Sequence, residues 1–490
     1  MSYSNKRPNI LLITTDQQRA DCLGVAGHPC LHTPHIDQLA YEGVRFENAY
    51  ADCPICIPAR TTMITGIQAH HYGMPSYSDQ YRVKREREKF LGSLITSAGY
   101  QTQLVGKTHW HTDPSFRAGF EHVDFIARLL KEQLVKTGYA YNQTGIGVNE
   151  LTPGLSRLPP ELHATNWIVD KSIDFLETRE QGQPFFLWAS FCDPHPPLVA
   201  LEPYYSMYDN DDIPDPVESE WSKDDECPYA HYIVKHRMKV GRIPKNRMRK
   251  LRSVYYGMIT YVDHQLGRLF GKIMRDKEWD NTLVIFTSDH GEFLGDHGSA
   301  WKTSFCESAA CVPFIIRAPK WMNIKPGIVS EALVEHADIL PTLCEIAGTK
   351  IPKDVTGKSL MGIVKGDNKH VRDLMHGYID DDGKFGGVHM LHDGRYKYTY
   401  YIDDGKELLF DVSKDRNDQY PLSGEALERM RKLLVQHLSE EGHEHVQDGK
   451  LINLGRQKPP LNEVLSRTSA GLGGLAVMSN ICRDHLTFHL

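Results

Sequence analysis

The sequence has 490 residues, enough for a large buried core and more than one domain. Its 40% hydrophobic and 24% charged residues are typical of a globular protein, and the net charge of -7 argues against general nucleic-acid binding. No stretch approaches the roughly 20 apolar residues of a membrane helix, and residues 1–8 lack the apolar segment of a secretory signal. The sequence therefore predicts a cytoplasmic protein without a membrane or nucleic-acid partner, unless an export signal has been removed.

Strand-length apolar runs alternate with segments of helical period over residues 1–365. The predicted strands are residues 9–15, 103–105, 185–191 and 283–287. Thr33-Pro34 is predicted to begin a helix that ends at Gly43, and residues 251–273 carry apolar residues at helical spacing. This alternation predicts an α/β domain with a large mixed, mostly parallel sheet flanked by helices.

The pattern of apolar and polar residues changes beyond residue 365. The predicted elements there are strands at residues 396–401 and 407–412 and a helix at residues 425–441. We therefore predict a catalytic α/β domain over residues 1–365 and a smaller C-terminal α+β domain with an antiparallel sheet over residues 366–490. The weakly periodic segment 458–490 is equally compatible with packing on a neighbouring subunit of a homo-oligomer and with lying on its own chain.

Each of four predicted strands runs into a cluster of polar residues suited to binding a metal or an anion. The clusters are Asp16-Gln17, Gly106-Lys107-Thr108-His109, Asp193-Pro194-His195 and Ser288-Asp289-His290-Gly291. A lone Asp after a strand is usually a turn former or a helix cap. Because ligands of open α/β sheets bind at the carboxyl ends of strands, four clusters in this position predict one shared crevice.

Cys56 begins a short predicted helix, where backbone N–H groups and the helix dipole favour negative charge, and Arg60 lies one turn further on the same face. The helix field contributes about 0.3–1 kcal/mol. A divalent cation held by Asp16, Asp289 and His290 would contribute several kcal/mol, so the predicted metal dominates the activation of a nucleophile at Cys56.

The C-x-x-C pair of Cys53 and Cys56 also has the spacing of a redox motif. The ten cysteines are otherwise too dilute for a disulfide scaffold, and no thioredoxin-sized unit surrounds the pair. A redox pair therefore stays an alternative of lower rank.

The motif Cys56-x-Pro58-x-Arg60, followed by Thr65-Gly66, resembles the signature of the sulfatase family, in which the cysteine is oxidised to formylglycine and the hydrated aldehyde attacks sulfur. The further motifs, in the order of the family, are Pro8-Asn9-Ile10 with Asp16, Thr33-Pro34-His35-Ile36-Asp37, Gly106-Lys107-Thr108-His109, Gly119-Phe120, Ser288-Asp289-His290-Gly291, Lys302, Val312-Pro313, Asp338-Ile339-Leu340-Pro341-Thr342 and Gly357-Lys358-Ser359-Leu360. The resemblance extends from residue 8 to about residue 415 and implies a sulfuric ester hydrolase of the alkaline phosphatase superfamily.

The resemblance also implies a role for each site residue. The implied metal ligands are Asp16, Gln17, the converted Cys56, Asp289 and His290. Among the implied catalytic residues, Arg60 and Lys107 hold the aldehyde hydrate and the anion, and His195 and Lys302 contact the ester and its leaving group. His109 assists deprotonation of the nucleophile or breakdown of the intermediate. Taken singly, these lysines and histidines could be ordinary surface or structural residues, and only the motif context favours the catalytic roles.

The implied cofactor is one divalent cation, with Ca²⁺ ahead of Mn²⁺ and Mg²⁺. The implied partners are a formylglycine-generating enzyme and a small anionic ester of a sugar, a choline-like cation or an aryl group. We expect loops at residues 76–84 and 139–157 to contact the leaving group. His111, His297 and His336 are interpreted as supporting or structural histidines.

Three positions depart from the commonest family pattern. Asp16-Gln17 replaces paired aspartates, Asp289-His290 replaces Asp-Asn, and Ala59 replaces Ser. These residues resemble the branch with choline sulfatases and phosphonate monoester hydrolases. Sulfate monoester hydrolysis is the first expectation and phosphonate monoester or phosphodiester hydrolysis the second. A non-catalytic anion-binding protein is the third, if Cys56 stays a thiol.

Overall fold

The computed structural model describes residues 7–464, apart from residues 78–82, 84, 112–115, 127–128, 130–133, 139–143, 148, 238–242 and 381–384. Much of the two loops expected to contact the leaving group, and most of segment 458–490, lies outside the described residues. None of the helices within these ranges combines the length and apolar character needed to cross a bilayer.

The strands form one large sheet, one four-stranded sheet and two small pairs. The strands are β1 Asn9–Thr15, β2 Val44–Tyr50, β3 Gln101–Gly106, β4 His122–Phe125, β5 Gly154–Leu155, β6 Phe185–Ser190, β7 Val199–Ala200, β8 Thr282–Ser288, β9 Phe314–Arg317, β10 Ile328–Glu335, β11 Met375–Ile379, β12 Val388–His392, β13 Tyr396–Tyr401, β14 Glu407–Asp411, β15 Val446–Gln447 and β16 Lys450–Leu451. The eight-stranded sheet has the order β10-β2-β9-β8-β1-β6-β3-β4. Its pairs are parallel except those of β9, which runs antiparallel to both β2 and β8.

Helices cover both faces of the large sheet. The helices are α1 Pro34–Glu42, α2 Cys56–Thr65, α3 Leu91–Ser97, α4 Val135–Thr137, α5 Ala164–Thr178, α6 Tyr229–Arg237, α7 Lys245–Arg275, α8 Glu307–Ala310, α9 Ile339–Ala347, α10 Met361–Lys365 and α11 Glu425–Glu440. Alternate residues of β1 face opposite cores, as expected for a strand buried on both sides. Ile10 and Leu12 pack with residues of α2, α3 and α9, whereas Leu11 and Ile13 pack with residues of α1, α5 and α7.

The C-terminal sheet is antiparallel, with the order β11-β12-β13-β14, and α11 packs on one face through Met430, Leu434 and Leu438. Its other face shares a buried cluster with Tyr50 and Ile55, the residues that lead into α2. The second sheet therefore supports the segment that begins at Cys56. The predicted division at residue 365 stays a prediction.

The predicted fold class is confirmed: a large mixed, mostly parallel sheet flanked by helices, with an antiparallel sheet near the C-terminus. The strand at residues 9–15 and the helix between Thr33 and Gly43 have the predicted bounds. Helix α7 is longer than predicted because it begins at Lys245, six residues before the first strongly apolar position used for the prediction.

Candidate active site

The polar clusters meet because their strands are neighbours in the large sheet. Strand β1 lies between β8 and β6, and β3 pairs with β6, all in parallel. Thr15 pairs with Ser288, and Gly106 pairs with Ser190, so the four strands end at nearly the same level. The residues that follow these strands therefore line one edge of the sheet.

Four buried side chains converge beyond this edge. Asp16, Cys56, Asp289 and His290 each offer one ligand atom, and these atoms all lie within 4.8 Å of one another. Cys56 Sγ lies 3.0 Å from His290 Nε2 and 3.9 Å from Asp16 Oδ1. The first residue of α2 thus reaches the ends of β1 and β8.

The donor atoms of this group fit a divalent cation. His290 Nδ1 lies 3.0 Å from the Gly291 carbonyl oxygen, a contact in which the ring N–H donates and Nε2 keeps its lone pair. Nε2 in turn lies 3.9 Å from Asp16 Oδ1 and 3.5 Å from Asp289 Oδ1. Two carboxylates and one imidazole around a common centre suit Ca²⁺, Mn²⁺ or Mg²⁺.

Arg60 binds the carboxylates of Asp16 and Asp289 through their Oδ2 atoms, which face away from His290. Its Nε donates to Asp289 Oδ2 at 2.7 Å, and one terminal nitrogen donates to Asp16 Oδ2 at 3.4 Å. The other terminal nitrogen donates to Ser190 Oγ at 2.9 Å and to the Lys107 carbonyl oxygen at 3.2 Å. The completely buried guanidinium therefore orients both aspartates, and their Oδ1 atoms remain on the side of His290.

Lysine side chains border the group on two sides. Lys107 forms an ion pair with Asp16 Oδ2. Lys302 Nζ donates to Gln17 Oε1 at 2.6 Å and lies 3.4 Å from His195 Nε2. These contacts place Gln17, Lys107 and His195, together with Lys302, beside the four converging side chains.

The surrounding charges stabilise anions at this centre. Burial raises the pKa of the Cys56 thiol, but the charges of Lys302 and His290 bring it well below its usual value. Burial also raises the pKa of Asp16, whereas Lys107 contributes to a final pKa below the ordinary range. A nucleophile at position 56 is therefore favoured in its deprotonated form.

His109 lies beside Cys56 in an unusual backbone conformation. Its φ angle is +54°, a left-handed value that is uncommon for a residue other than glycine and that is held where the surroundings fix the backbone. Burial lowers the pKa of His109, although a hydrogen bond with Cys56 acts in the opposite direction. The imidazole is therefore neutral near pH 7 and can accept a proton.

Three further histidines were interpreted from the sequence as supporting or structural residues. His336 Nε2 lies 2.8 Å from the Ser288 carbonyl oxygen, so it supports the end of β8. His297 Nδ1 contacts Ser219 Oγ at 2.9 Å, and its ring packs against Trp221. His111 stacks on the ring of Phe116.

Two residues of the site were not predicted from the sequence. Ser190 accepts from Arg60 and donates to the Lys107 carbonyl oxygen at 2.6 Å, and Glu292 accepts a hydrogen bond from the Gln17 amide. Ser190 is the last residue of β6, so the strand-end argument applied to its neighbours could have included it. Glu292 follows the Ser-Asp-His-Gly motif by one residue, and no local pattern marked it.

The two thiols of the C-x-x-C motif face different surroundings. Cys53 Sγ donates to the Pro75 carbonyl oxygen at 3.4 Å, whereas Cys56 Sγ contacts His290. No disulfide joins these two residues. The structure therefore gives the redox alternative no support.

Comparisons with known proteins identify the family to which this chain belongs. The family model described as Sulfatase matches residues 8–349, and the model described as N-sulphoglucosamine sulphohydrolase, C-terminal, matches residues 295–444. An arylsulfatase of Clostridium perfringens is 35% identical over 473 residues, which cover 89% of this chain and 96% of the relative. The chain belongs to the sulfatase family.

Two further similarities point to the branch predicted from the sequence. A choline-sulfatase of Rhizobium meliloti is 27% identical over 440 residues, covering 84% of this chain and 81% of the relative. The crystal structure of a phosphonate monoester hydrolase of Agrobacterium radiobacter superposes with a TM-score of 0.75 at 25% identity, covering 89% of this chain and 95% of that structure. The protein is a sulfuric ester hydrolase with the alkaline phosphatase-like fold.

Proposed function

We propose that this enzyme hydrolyses sulfate monoesters with a formylglycine made from Cys56 as nucleophile and one bound divalent cation, Ca²⁺ ahead of Mn²⁺ and Mg²⁺. The observation that carries the proposal is the convergence of Asp16, Cys56, Asp289 and His290 within 4.8 Å at the first turn of α2. A site with two carboxylates and one imidazole beside the nucleophile position is suited to neutralise negative charge there.

In this proposal the cation is held by Asp16, Gln17, Asp289, His290 and residue 56. When bound, it supplies positive charge that stabilises the deprotonated nucleophile and the ester oxygens. Gln17 contributes through its amide oxygen, and Glu292 and Lys302 hold that amide in place. The hydrated aldehyde of a formylglycine supplies the attacking hydroxyl group.

The cationic side chains offset the repulsion between an anionic ester and an anionic nucleophile. Arg60 and Lys107 are proposed to hold the hydrate and the sulfate oxygens, because both already contact carboxylates beside residue 56. His109 accepts the proton of the attacking hydroxyl, for which its neutral state near pH 7 is required. After the leaving alcohol has departed, the sulfated residue 56 would release sulfate and return to the aldehyde, a breakdown that His109 could also assist.

His195 and Lys302 are proposed to contact the ester oxygen of the leaving group. Lys302 Nζ lies 3.4 Å from His195 Nε2, so the pair presents a cation and an imidazole at one position. An imidazole that protonates a leaving oxygen contributes typically about 10²–10⁴ in rate. The substrate in this proposal is a small anionic ester, with a sugar, a choline-like cation or an aryl group as the leaving alcohol.

Phosphonate monoester or phosphodiester hydrolysis at the same site is the second candidate. It is favoured by the 0.75 TM-score to a phosphonate monoester hydrolase and by the 29% identity over 480 residues to the multifunctional alkaline phosphatase superfamily protein PehA of Trinickia caryophylli. The two functions share the nucleophile and the metal ligands, and they differ in the esters that they turn over fastest.

The proposal is tested on protein made in its native host or together with a formylglycine-generating enzyme. Peptide mass spectrometry is expected to find formylglycine at position 56, and matched aryl sulfate and phenyl phosphonate esters are expected to give a higher kcat/KM for the sulfate. Preference for the phosphonate would establish the second candidate. An unconverted thiol in fully active enzyme would refute the formylglycine mechanism.

The neighbouring cysteine provides a matched control for the nucleophile. Cys56→Ala is expected to reduce kcat by at least about 10³ because it removes the nucleophile. Cys53→Ala removes a buried thiol of the same motif that donates to the Pro75 carbonyl oxygen, and its kcat should stay within a few-fold of the wild-type value. Equal activity of the two variants would contradict the assignment.

A further inference from the structure

A cluster of histidines lies where the segment after α2 meets the C-terminal sheet, outside the active site described above. It consists of His70 and His71 from that segment, His376 of β11, and His437 and Glu441 at the end of α11. We call these five residues the Glu441 cluster. His70, His71 and Glu441 form one group whose ligand atoms lie within 4.8 Å of one another, and His376, His437 and Glu441 form another.

The carboxylate of Glu441 lies at the centre of the cluster. Its Oε1 lies 3.5 Å from His71 Nε2 and 3.3 Å from His437 Nε2, and its Oε2 lies 3.9 Å from His70 Nε2. In a tetrahedral zinc site with bonds of about 2.0–2.1 Å, neighbouring ligand atoms are separated by roughly 3.3 Å. The separations of Glu441 Oε1 from His71 and His437 are thus close to those between neighbouring ligands of a metal ion.

Several imidazole nitrogens of the cluster are buried without a hydrogen bond. These atoms are both ring nitrogens of His70 and Nδ1 of His376. The side chain of His70 is 6% exposed, and His376 is 3% exposed. A buried polar atom without a partner costs about 1–3 kcal/mol, so several in one place indicate a missing ligand.

A hydrogen-bonded chain of imidazoles orients His376 from behind. His376 Nε2 lies 3.0 Å from His389 Nδ1, and His389 Nε2 lies 2.9 Å from His445 Nδ1. When His376 donates its Nε2–H to His389, its unpartnered Nδ1 is left as the coordinating nitrogen. Such outer partners are the usual way in which proteins fix the tautomer of a metal-binding histidine.

A second group of histidines, His389, His443 and His445, also has ligand atoms within 4.8 Å of one another. His389 uses both of its ring nitrogens in the hydrogen-bonded chain, however, so this group has fewer lone pairs to offer. The unpartnered nitrogens belong to the Glu441 cluster instead.

We propose that the Glu441 cluster is a second metal centre, which binds a divalent transition ion of the Zn²⁺, Co²⁺ or Ni²⁺ class. Imidazole donors with one carboxylate suit these ions, whereas Ca²⁺ prefers oxygen ligands. The side chain of His71 is 36% exposed and that of Glu441 22%, so an ion can enter from solvent. The centre ties the segment that follows the nucleophile helix to α11 and β11, which is a structural role independent of the proposed reaction.

The test measures Zn²⁺ binding to the full chain carrying Cys56→Ala, in excess Ca²⁺. Calcium competes at the oxygen-rich active site and the substitution removes its thiolate, so Zn²⁺ binding there is weakened, and the variants described next assign the bound Zn²⁺ to the Glu441 cluster. We expect at least one tightly bound Zn²⁺ per chain by isothermal titration and elemental analysis, and a higher Tm with Zn²⁺ than with EDTA. Absence of tight Zn²⁺ binding by this chain would overturn the proposal.

Because two of the proposed ligands are partly exposed, their substitution leaves no cavity in the core. In the same background, the double variant His71→Gln/His437→Gln is expected to weaken Zn²⁺ binding at least tenfold and to remove the increase in Tm. The matched control is His370→Gln, at a histidine that is 65% exposed and lies outside the cluster. Should the double variant fail to fold, His71→Gln alone is measured. Zn²⁺ affinity equal to that of the control in the folded variant would place the ion elsewhere and refute the centre.

Discussion

Arg60 joins the carboxylates, the end of β6 and the end of β3 through one guanidinium group. Its nitrogens serve four acceptors, and the side chain is completely buried. Lysine keeps the charge but not the planar fork, so Arg60→Lys should leave several of these acceptors unpaired. We expect kcat/KM to fall by about 10²–10³, the loss typical of removing one oriented donor from an active site.

The control for this substitution is Arg45→Lys. Arg45 is partly exposed and makes one ion pair with Glu47 at 3.0 Å, so its kcat/KM should remain within twofold of the wild-type value. Steady-state kinetics with an aryl sulfate, together with thermal unfolding, separates a loss of catalysis from a loss of folded protein. A similar kcat/KM for both variants would show that the fork geometry is unimportant.

At the scale of residues, the sequence predicts those site residues that lie in contiguous motifs. Asp16 and His290 follow buried strands directly, and Cys56 begins a helix, so local patterns identify them. Glu292 and the Glu441 cluster escaped prediction because their partners are far apart in the chain. His70 and Glu441 meet only when the antiparallel sheet docks beside α2, and no spacing in the sequence records that contact.

At the scale of elements, the apolar runs identify the strands at the centre of the large sheet and miss β2 and β9. The buried strands β1, β6 and β8 have continuous apolar sequences and were predicted to within a residue or two. Strand β2 has the sequence VRFENAY, in which polar residues interrupt the pattern, and β9 has four residues. The antiparallel pairing of β9 depends on the chain reversal that precedes it, which a strand pattern cannot encode.

Gly106 is the last residue of β3 and directly precedes the site residue Lys107. Its φ is +110°, and a Cβ atom there would lie 2.0 Å from the Ser190 carbonyl oxygen, which also accepts from the Lys107 N–H at 3.0 Å. Gly106→Ala should therefore separate β3 from β6 and shift Lys107. We expect a loss of unfolding free energy above the roughly 0.5–3 kcal/mol of ordinary substitutions, and lower activity in the folded fraction.

Gly366→Ala separates this clash from the effect of a positive φ. Gly366 has φ +80°, and a Cβ atom added there would have no neighbouring atom within 4 Å, so its substitution should cost about 1–2 kcal/mol. Urea unfolding of both variants measures the difference. Equal losses would mean that the close approach between the two strands has no energetic consequence.

At the scale of the whole molecule, a buried ion cluster joins the C-terminal sheet to α8. Lys397 of β13 contacts Glu307 of α8 at 2.7 Å and Asp418 at 2.9 Å, and its side chain is 1% exposed. Lys397→Met would keep the apolar stem but leave the buried Asp418 without this cation, and Glu307 would keep only its ion pair with Arg416 at 3.4 Å. Breaking one partner of such a group typically costs about 3–5 kcal/mol.

Lys365→Met is the matched control, because Lys365 makes a single exposed ion pair with Glu345 at 2.9 Å. This substitution should cost about 0–1 kcal/mol of unfolding free energy.

The two variants should also differ in how their stability responds to pH. Burial already raises the pKa of Asp418 to about 6, and loss of Lys397 would raise it further. Because the folded variant then binds more protons than the unfolded chain, its stability should fall as the pH rises from about 4 through that pKa. Urea unfolding at pH 5 and pH 8 should therefore give the larger deficit at pH 8, and a deficit independent of pH would show that the carboxylates keep another counter-charge.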